Sequence, residues 1–419
     1  MSIETQLADF AVNSEPSPDA LEMMRLSLMD WAVCCIAGRE EPLAVILRDK
    51  GLSEGGKAEA SVIGGDKLPA PRAAMINGAV SHALDYDDTH FAHIGHTSVG
   101  VIPAALVVAE RVGASFDDFL TACLIGSEGA VRVGVQLGRD QYQVGYHQTA
   151  TAGAFGACLA ALRLLGADQA QAIAGIGLVS SKAAGLKAQF GTMAKPLNAG
   201  LAAEAGVEAA LWAMAGMTST EQGLQAFGVT HHGDADAAAF DGLGGTWRML
   251  EVSHKFHACC HGLHAMLEAL SEVSVDPADV VSVEITTHPR WMTVCNKPAP
   301  HTGLEAKFSY AQTAAMALVG GDTSAIAAFS DMVAQRSDLV ALRDVVSVVT
   351  AESLTEMQAR VRITLRDGAV LDAAHDLEAP MALEARAAKL MRKAQGLVPD
   401  ADALWQVTDL ASLAAILRA

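Results

Sequence analysis

Seven titratable side chains fall within fifteen consecutive positions: His82, Asp85, Asp87, Asp88, His90, His93 and His96. Histidine titrates near neutrality and can give or take a proton there, and a nearby carboxylate orients the imidazole and favours its cationic form. His and Asp are also common metal ligands. A metal would need its ligands gathered on one face, yet no HExxH-type pair occurs, and Gly95 and Pro103 interrupt any single face. The run therefore reads as acid–base machinery, as a metal site, or as a solvated loop without chemistry.

Two more basic residues repeat one arrangement. His147, in "QVGYHQTATAGAFG", stands just ahead of helical text that Thr149 or Thr151 can cap. Lys195, in "GTMAKPLNAGLAAEAG", stands ahead of another helix, with Pro196 biasing it toward an extended backbone. His96 precedes a helix expected from Pro103, a residue suited to a first helical turn. Helix N-termini carry unpaired N–H groups and about half a positive charge, so together these positions suit a carboxylate or phosphate. The cysteines fit less well: Cys259 and Cys260 are adjacent and Cys295 is remote, which is not the spacing of an iron–sulfur cluster. Cys260 as a nucleophile beside His261 or His264 stays open, although inert buried thiols are common.

The elements that must position these groups are mostly helices. In "PDALEMMRLSLMDWAVCCIAG", Leu21, Met24, Leu28, Trp31 and Cys35 share one face and Gly38 ends the helix. Ser115 and Asp118 open another as a short-chain capping box. After about residue 253 the text changes. "DVVSVEITTHP" alternates like a strand, and "ARVRITLRDGAVLDAAHD" reads as a hairpin around Asp367-Gly368 with a tight primed turn. From Pro380 the chain is helical again. The expected fold is mainly α with an inserted α+β domain: a helical domain over 1–253 and 382–419, and a smaller α+β lid over 254–381.

The formal net charge of −19 argues against nucleic acid or an anionic membrane as partner. Seven cysteines, an odd number with two adjacent pairs, fit a reducing compartment. "MSIETQLADF" lacks the basic and apolar regions of a signal peptide, and no uninterrupted run nears the roughly 20 apolar residues of a spanning helix. The expectation is a cytoplasmic protein.

The order "ALDYDDTH…HTSVGVIPAALVVAE", "GYHQTATAGAFG", "GTMAKPLNAG", "KFHACCHGLHA" and "EAKFS" resembles the MmgE/PrpD family over nearly the whole chain. That family includes 2-methylcitrate dehydratases, cis-aconitate decarboxylases and iminodisuccinate epimerases. The resemblance implies a homodimer, no cofactor, and a small polycarboxylate substrate. Carried over position by position, it implies a pocket of Asp85, Thr89, His96, His147 and Lys195, with Cys260 and His264 contributed by the lid. Two departures count against decarboxylation: Cys260 stands where the decarboxylases place a His, and Gln312 stands where many members have a Tyr, with Tyr310 two places early. The implied enzyme is a proton-transfer lyase of the 2-methylcitrate dehydratase type. The alternatives are an epimerase of an iminodisuccinate-like substrate, a metal-dependent hydrolase, or a binding protein of the same fold.

Overall fold

The computed structural model describes residues 1–233 and 236–419. The chain divides into two compact units: Met1–His254 with Asp400–Ala419, and Lys255–Pro399. The helix Leu383–Leu397, which the sequence text assigns to the helical domain, therefore lies in the second unit. There Lys389 pairs with Glu268, a long-range contact that helical periodicity does not reveal.

The first unit is built around the helices Ala70–Ser81, Ser98–Val112, Phe116–Val144, Gln148–Leu164 and Ala194–Met214, which pack against one another. Their small residues let backbones approach closely. A Cβ on Gly200 would meet the Met75 carbonyl at 2.1 Å, and one on Gly156 would meet the Gly126 carbonyl at 2.4 Å. Larger side chains would force these helices apart, which explains why the core text is so rich in Ala and Gly. No described helix is long and apolar enough to cross a membrane.

Helix starts differ from expectation in three places. Pro103 sits inside the helix Ser98–Val112 rather than at its first turn. The helix Gln148–Leu164 begins after His147, with no side-chain cap; Thr149 instead accepts from the His96 N–H, and Thr151 donates to Gln141. Lys195 lies within the first turn of Ala194–Met214, where Pro196 is tolerated because the N–H it lacks would be unpaired there anyway. Ser115 does cap its helix, its Oγ accepting from the Asp118 N–H at 3.1 Å, but Asp118 answers through that hydroxyl.

The second unit carries a four-stranded sheet, β1 (Val280–Thr287), β2 (Val346–Thr350), β3 (Gln358–Leu365) and β4 (Val370–Asp376), in the order β2-β1-β3-β4. β1 and β2 are parallel and the remaining pairs antiparallel. β2 has no counterpart in the expected elements; it is a five-residue edge strand without a buried face. The β3–β4 turn is a three-residue loop, not the two-residue primed turn. Leu365 pairs with Ala369, Gly368 donates back to Leu365, and only Gly368 takes a positive φ, of 86°. A primed turn of the first type would need Asp367 there as well. The helix His264–Ser271 packs on β3 and β4.

Candidate active site

The crowded run 82–96 leaves the helix Ala70–Ser81 and folds into a loop with two residues in left-handed conformation, Asp85 at φ 51° and Ile94 at φ 56°. Left-handed backbone is uncommon for residues other than Gly and marks a place where surrounding structure imposes the conformation. Here the imposing structure is remote in sequence. Thr89 and Ser253 exchange backbone hydrogen bonds of 2.8 Å, and His90 Nε2 lies 2.9 Å from the Arg248 carbonyl. The segment around Arg248 is in turn pinned to the helix Phe116–Val144. Glu128 accepts from the Arg248 and Met249 N–H groups, and its buried partner Arg132 donates to the carbonyls of Ala239, Asp241 and Thr246.

This scaffold sorts the seven titratable residues into two sets. Asp88 faces the start of the helix Ser98–Val112, accepting from Ser98 N at 3.2 Å and Ser98 Oγ at 2.5 Å. Burial, reinforced by neighbouring Asp30 and Asp87, pushes its pKa up to about 7 against those hydrogen bonds. His90 and His93 are also buried; burial lowers both, His93 to about 3, so both are neutral parts of the framework.

The other four converge. Asp87, fully buried, accepts from both neighbouring imidazoles: His82 Nδ1 lies 2.8 Å from Oδ1 and His96 Nδ1 lies 2.6 Å from Oδ2. Burial opposes the charge on Asp87, but the two histidines outweigh it and hold its pKa well below the carboxylate range. His96 Nε2 points toward Asp85, 3.5 Å from Oδ1, and Lys195 Nζ lies 2.8 Å from that same oxygen. Asp85 is 52% exposed, whereas the Lys195 and His96 side chains are 14% and 12% exposed, so it forms the outer edge of the cluster. His147 stacks near His82, with ring centroids 6.2 Å apart, and meets the Phe190 ring edge to face at 5.0 Å. Burial, then the charges of His82, Lys195 and His96, lower the His147 pKa to about 2.

Four of the expected pocket residues, Asp85, His96, His147 and Lys195, are thus neighbours in the first unit. Thr89 lies on the same loop, its Oγ1 donating to the Ser253 carbonyl at 3.3 Å. Cys260 and His264 belong to the second unit. Cys260 opens a short 3-10 turn and its N–H donates to the Lys307 carbonyl at 2.9 Å. His264 is buried, and burial together with His261, His257 and Lys255 holds it well below the ordinary histidine range. Tyr310 is a structural tie whose hydroxyl donates to the Gly262 carbonyl at 2.6 Å, while buried Gln312 accepts from Arg343 at 3.3 Å.

The expected site did not include His82, Asp87, Asn198 or Phe190. His82 and Asp87 were visible as members of the crowded run, but nothing in the spacing separates them from Asp88 and His93. Asn198 had one signal: it follows Lys195 by three residues on a helix, and so shares its face.

One ligand atom from each of His82, Asp85, Asp87 and His96 lies within 4.8 Å of the others, a separation that could suit a metal ion. The hydrogen bonds favour another use, since both Asp87 oxygens already accept imidazole N–H groups. The set can take up and release a proton beside a fixed cation, as carbon acids next to a carboxylate require.

Comparison with known proteins gives matches over most of the chain. The MmgE/PrpD N-terminal domain matches residues 5–230 and the MmgE/PrpD C-terminal domain matches residues 257–411. A cis-aconitate decarboxylase-like protein, oryM, of Aspergillus oryzae is 28% identical over 320 residues, covering 70% of this chain and 66% of its own. The cis-aconitate decarboxylase of Aspergillus terreus is 28% identical over 285 residues, covering 64% and 58%. That of Homo sapiens is 27% identical over 330 residues, covering 72% and 67%. The chain spans less than two thirds of the length of the two Aspergillus relatives.

Proposed function

This chain belongs to the MmgE/PrpD family, and on that premise we propose that it is a cofactor-independent lyase that moves a proton next to a carboxylate of a small polycarboxylate. The observation that carries the reading is the convergence of Lys195, Asp85 and the Asp87-paired His96 beside buried His147. Lys195 would leave Asp85 for a substrate carboxylate and stabilise the enediolate that forms when the adjacent proton is removed. Thr89 would turn its hydroxyl from the Ser253 carbonyl to donate to a second carboxylate. Histidine would carry the proton, a contribution typically of about 10²–10⁴ in rate.

Dehydration of a 2-methylcitrate-like hydroxy acid is the first reading. Decarboxylation of cis-aconitate is the second, favoured by the names of the relatives and opposed by Cys260 and Gln312. A homodimer belongs to the same proposal, and sedimentation velocity tests it.

The decisive experiment incubates the protein with 2-methylcitrate, citrate, cis-aconitate and iminodisuccinate in D₂O, followed by proton NMR. A vinylic proton formed from a saturated hydroxy acid signals dehydration, a terminal methylene pair formed from cis-aconitate with release of CO₂ signals decarboxylation, and deuterium at the α carbon alone signals epimerisation. Chelator-treated protein is expected to work at the untreated rate. No turnover and no exchange with any substrate would overturn the reading, as would activity lost to chelation and restored by one specific ion.

A further inference from the structure

Two histidines of the cluster could receive the proton, and the surroundings of His147 bear on which one does. Asn198 Nδ2 lies 3.2 Å from His147 Nδ1 and 3.4 Å from the Leu186 carbonyl oxygen. A carbonyl can only accept, so the amide must turn its NH₂ toward Leu186, and the same NH₂ then faces the imidazole. The carbonyl is itself immobilised. Tyr146 and Leu186 form an isolated bridge, His147 N donates to Gly185 O at 3.0 Å, and Lys187 N donates to Gly145 O at 2.8 Å. With Nδ1 accepting, a neutral imidazole carries its proton on Nε2.

His96 is held in the opposite sense. Its Nδ1 donates to Asp87, which leaves Nε2 as the atom that exchanges a proton on the side of Asp85. We propose that Asn198 is a positioning residue: it holds His147 as the neutral tautomer protonated on Nε2, so that His147 meets a polycarboxylate as a fixed hydrogen-bond donor and proton abstraction falls to the Asp87-paired His96. The charged and titratable groups around His147 agree with this. His82, His96 and Lys195 all disfavour a second positive charge there, against the opposing pull of Asp85. A neutral donor loses no proton during turnover and needs no reorganisation, as an oxyanion-stabilising group requires.

The inference rests on the lyase reading for its chemistry, but its test does not need a substrate. Full-length protein labelled with ¹⁵N-histidine reports the tautomer of each imidazole by NMR. His147 is identified by its loss in His147→Gln and by its proximity to the Phe190 ring. The expected spectrum has Nε2 protonated, Nδ1 bare, and no titration between about pH 5 and 8. Asn198→Asp, whose carboxylate accepts from Nδ1–H, is expected to move the proton to Nδ1 and bring His147 into that titration range. Once a substrate is in hand, Asn198→Asp should lower kcat about tenfold or more and add an ionisation to its pH profile, with KM changing less. A wild-type His147 protonated on Nδ1, or one that titrates near neutrality, would overturn the inference. A correct tautomer with no turnover on any polycarboxylate would instead overturn the lyase reading alone.

Discussion

A carboxylate shielded from water must be compensated by its neighbours, and Asp87 is compensated twice, by His82 and by His96. Removing one partner of a buried pair leaves an uncompensated group and typically costs about 3–5 kcal/mol. Asp87→Asn is therefore expected to lower the unfolding midpoint in urea by an amount equivalent to about 3 kcal/mol, with turnover falling because His96 loses its anchor. A midpoint within experimental error of wild type would contradict this. Lys195 is different, because its partner Asp85 is half exposed and such pairs contribute about 0–1 kcal/mol. Lys195→Ala should leave the melt nearly unchanged while abolishing turnover, with kcat and KM both affected. As a residue at a helix start His147 would be cheap to truncate, but it is buried, so His147→Ala should cost about 1–3 kcal/mol as well as about 10² in kcat. Near-wild-type turnover in both variants would remove the proposed site.

Elements hold the loop that carries these residues. The Glu128–Arg132 pair sits on the helix Phe116–Val144, and its hydrogen bonds fasten residues 239–249, whose continuation at Ser253 bridges to Thr89. The partners of the pair are backbone groups of that segment and the Thr246 hydroxyl rather than the cluster residues Asp85, His96, His147 and Lys195. Arg132→Ala is nevertheless expected to cost about 3 kcal/mol or more, because Glu128 is left buried and several carbonyls lose their donor. Amide hydrogen exchange should show Thr89 and Ser253 losing protection together. Retained protection at both positions would mean that the loop is held by other contacts. The helix Ala194–Met214 also positions the cluster, because its first turns present Lys195 to Asp85 and Asn198 to His147 from one face.

For the molecule as a whole, the buried histidines set an acid limit on stability. His93 and His147 have folded pKa values lowered to about 3 and about 2, so their contribution is present above about pH 6.5, the unfolded value, and is lost as pH falls toward those folded values. His90 acts in the same direction. Asp88 acts in the opposite sense, because its value is raised to about 7 and its contribution is lost as pH rises from about 4 to 7. The histidines outnumber it, so between about pH 6 and 4 the first unit should lose about 1 kcal/mol or more per pH unit. Asp87, with a depressed value, adds a further loss below that window as its folded-state pKa is crossed. Thermal melts across that range test the sign: a midpoint that rises or holds constant as pH falls from about 6 to 4 would be contrary to it.

Periodicity, alternation and motif order were enough to read a helical protein with an α+β insertion, because apolar spacing of 3.6 or 2 is a local property of the text. The expected site residues Asp85, His96, His147 and Lys195 came instead from the resemblance of the short motifs that carry them to the MmgE/PrpD family. Cap geometry was less legible, since Thr149 and Thr151 have other partners in the fold. The division of the 82–96 run into catalytic candidates and framework was not legible at all. His82 and His93 are the same residue type in one stretch, yet one binds Asp87 and the other is a neutral core residue. What separates them is which way the loop turns at Asp85 and Ile94, and that is set by partners as far away as Ser253, 164 positions along the chain from Thr89. The tautomer of His147 is of the same kind, decided by Asn198, 51 positions distant. Composition and spacing determine which groups a chain owns; the local field and the hydrogen-bond partner that give each group its protonation state exist only once distant segments have packed.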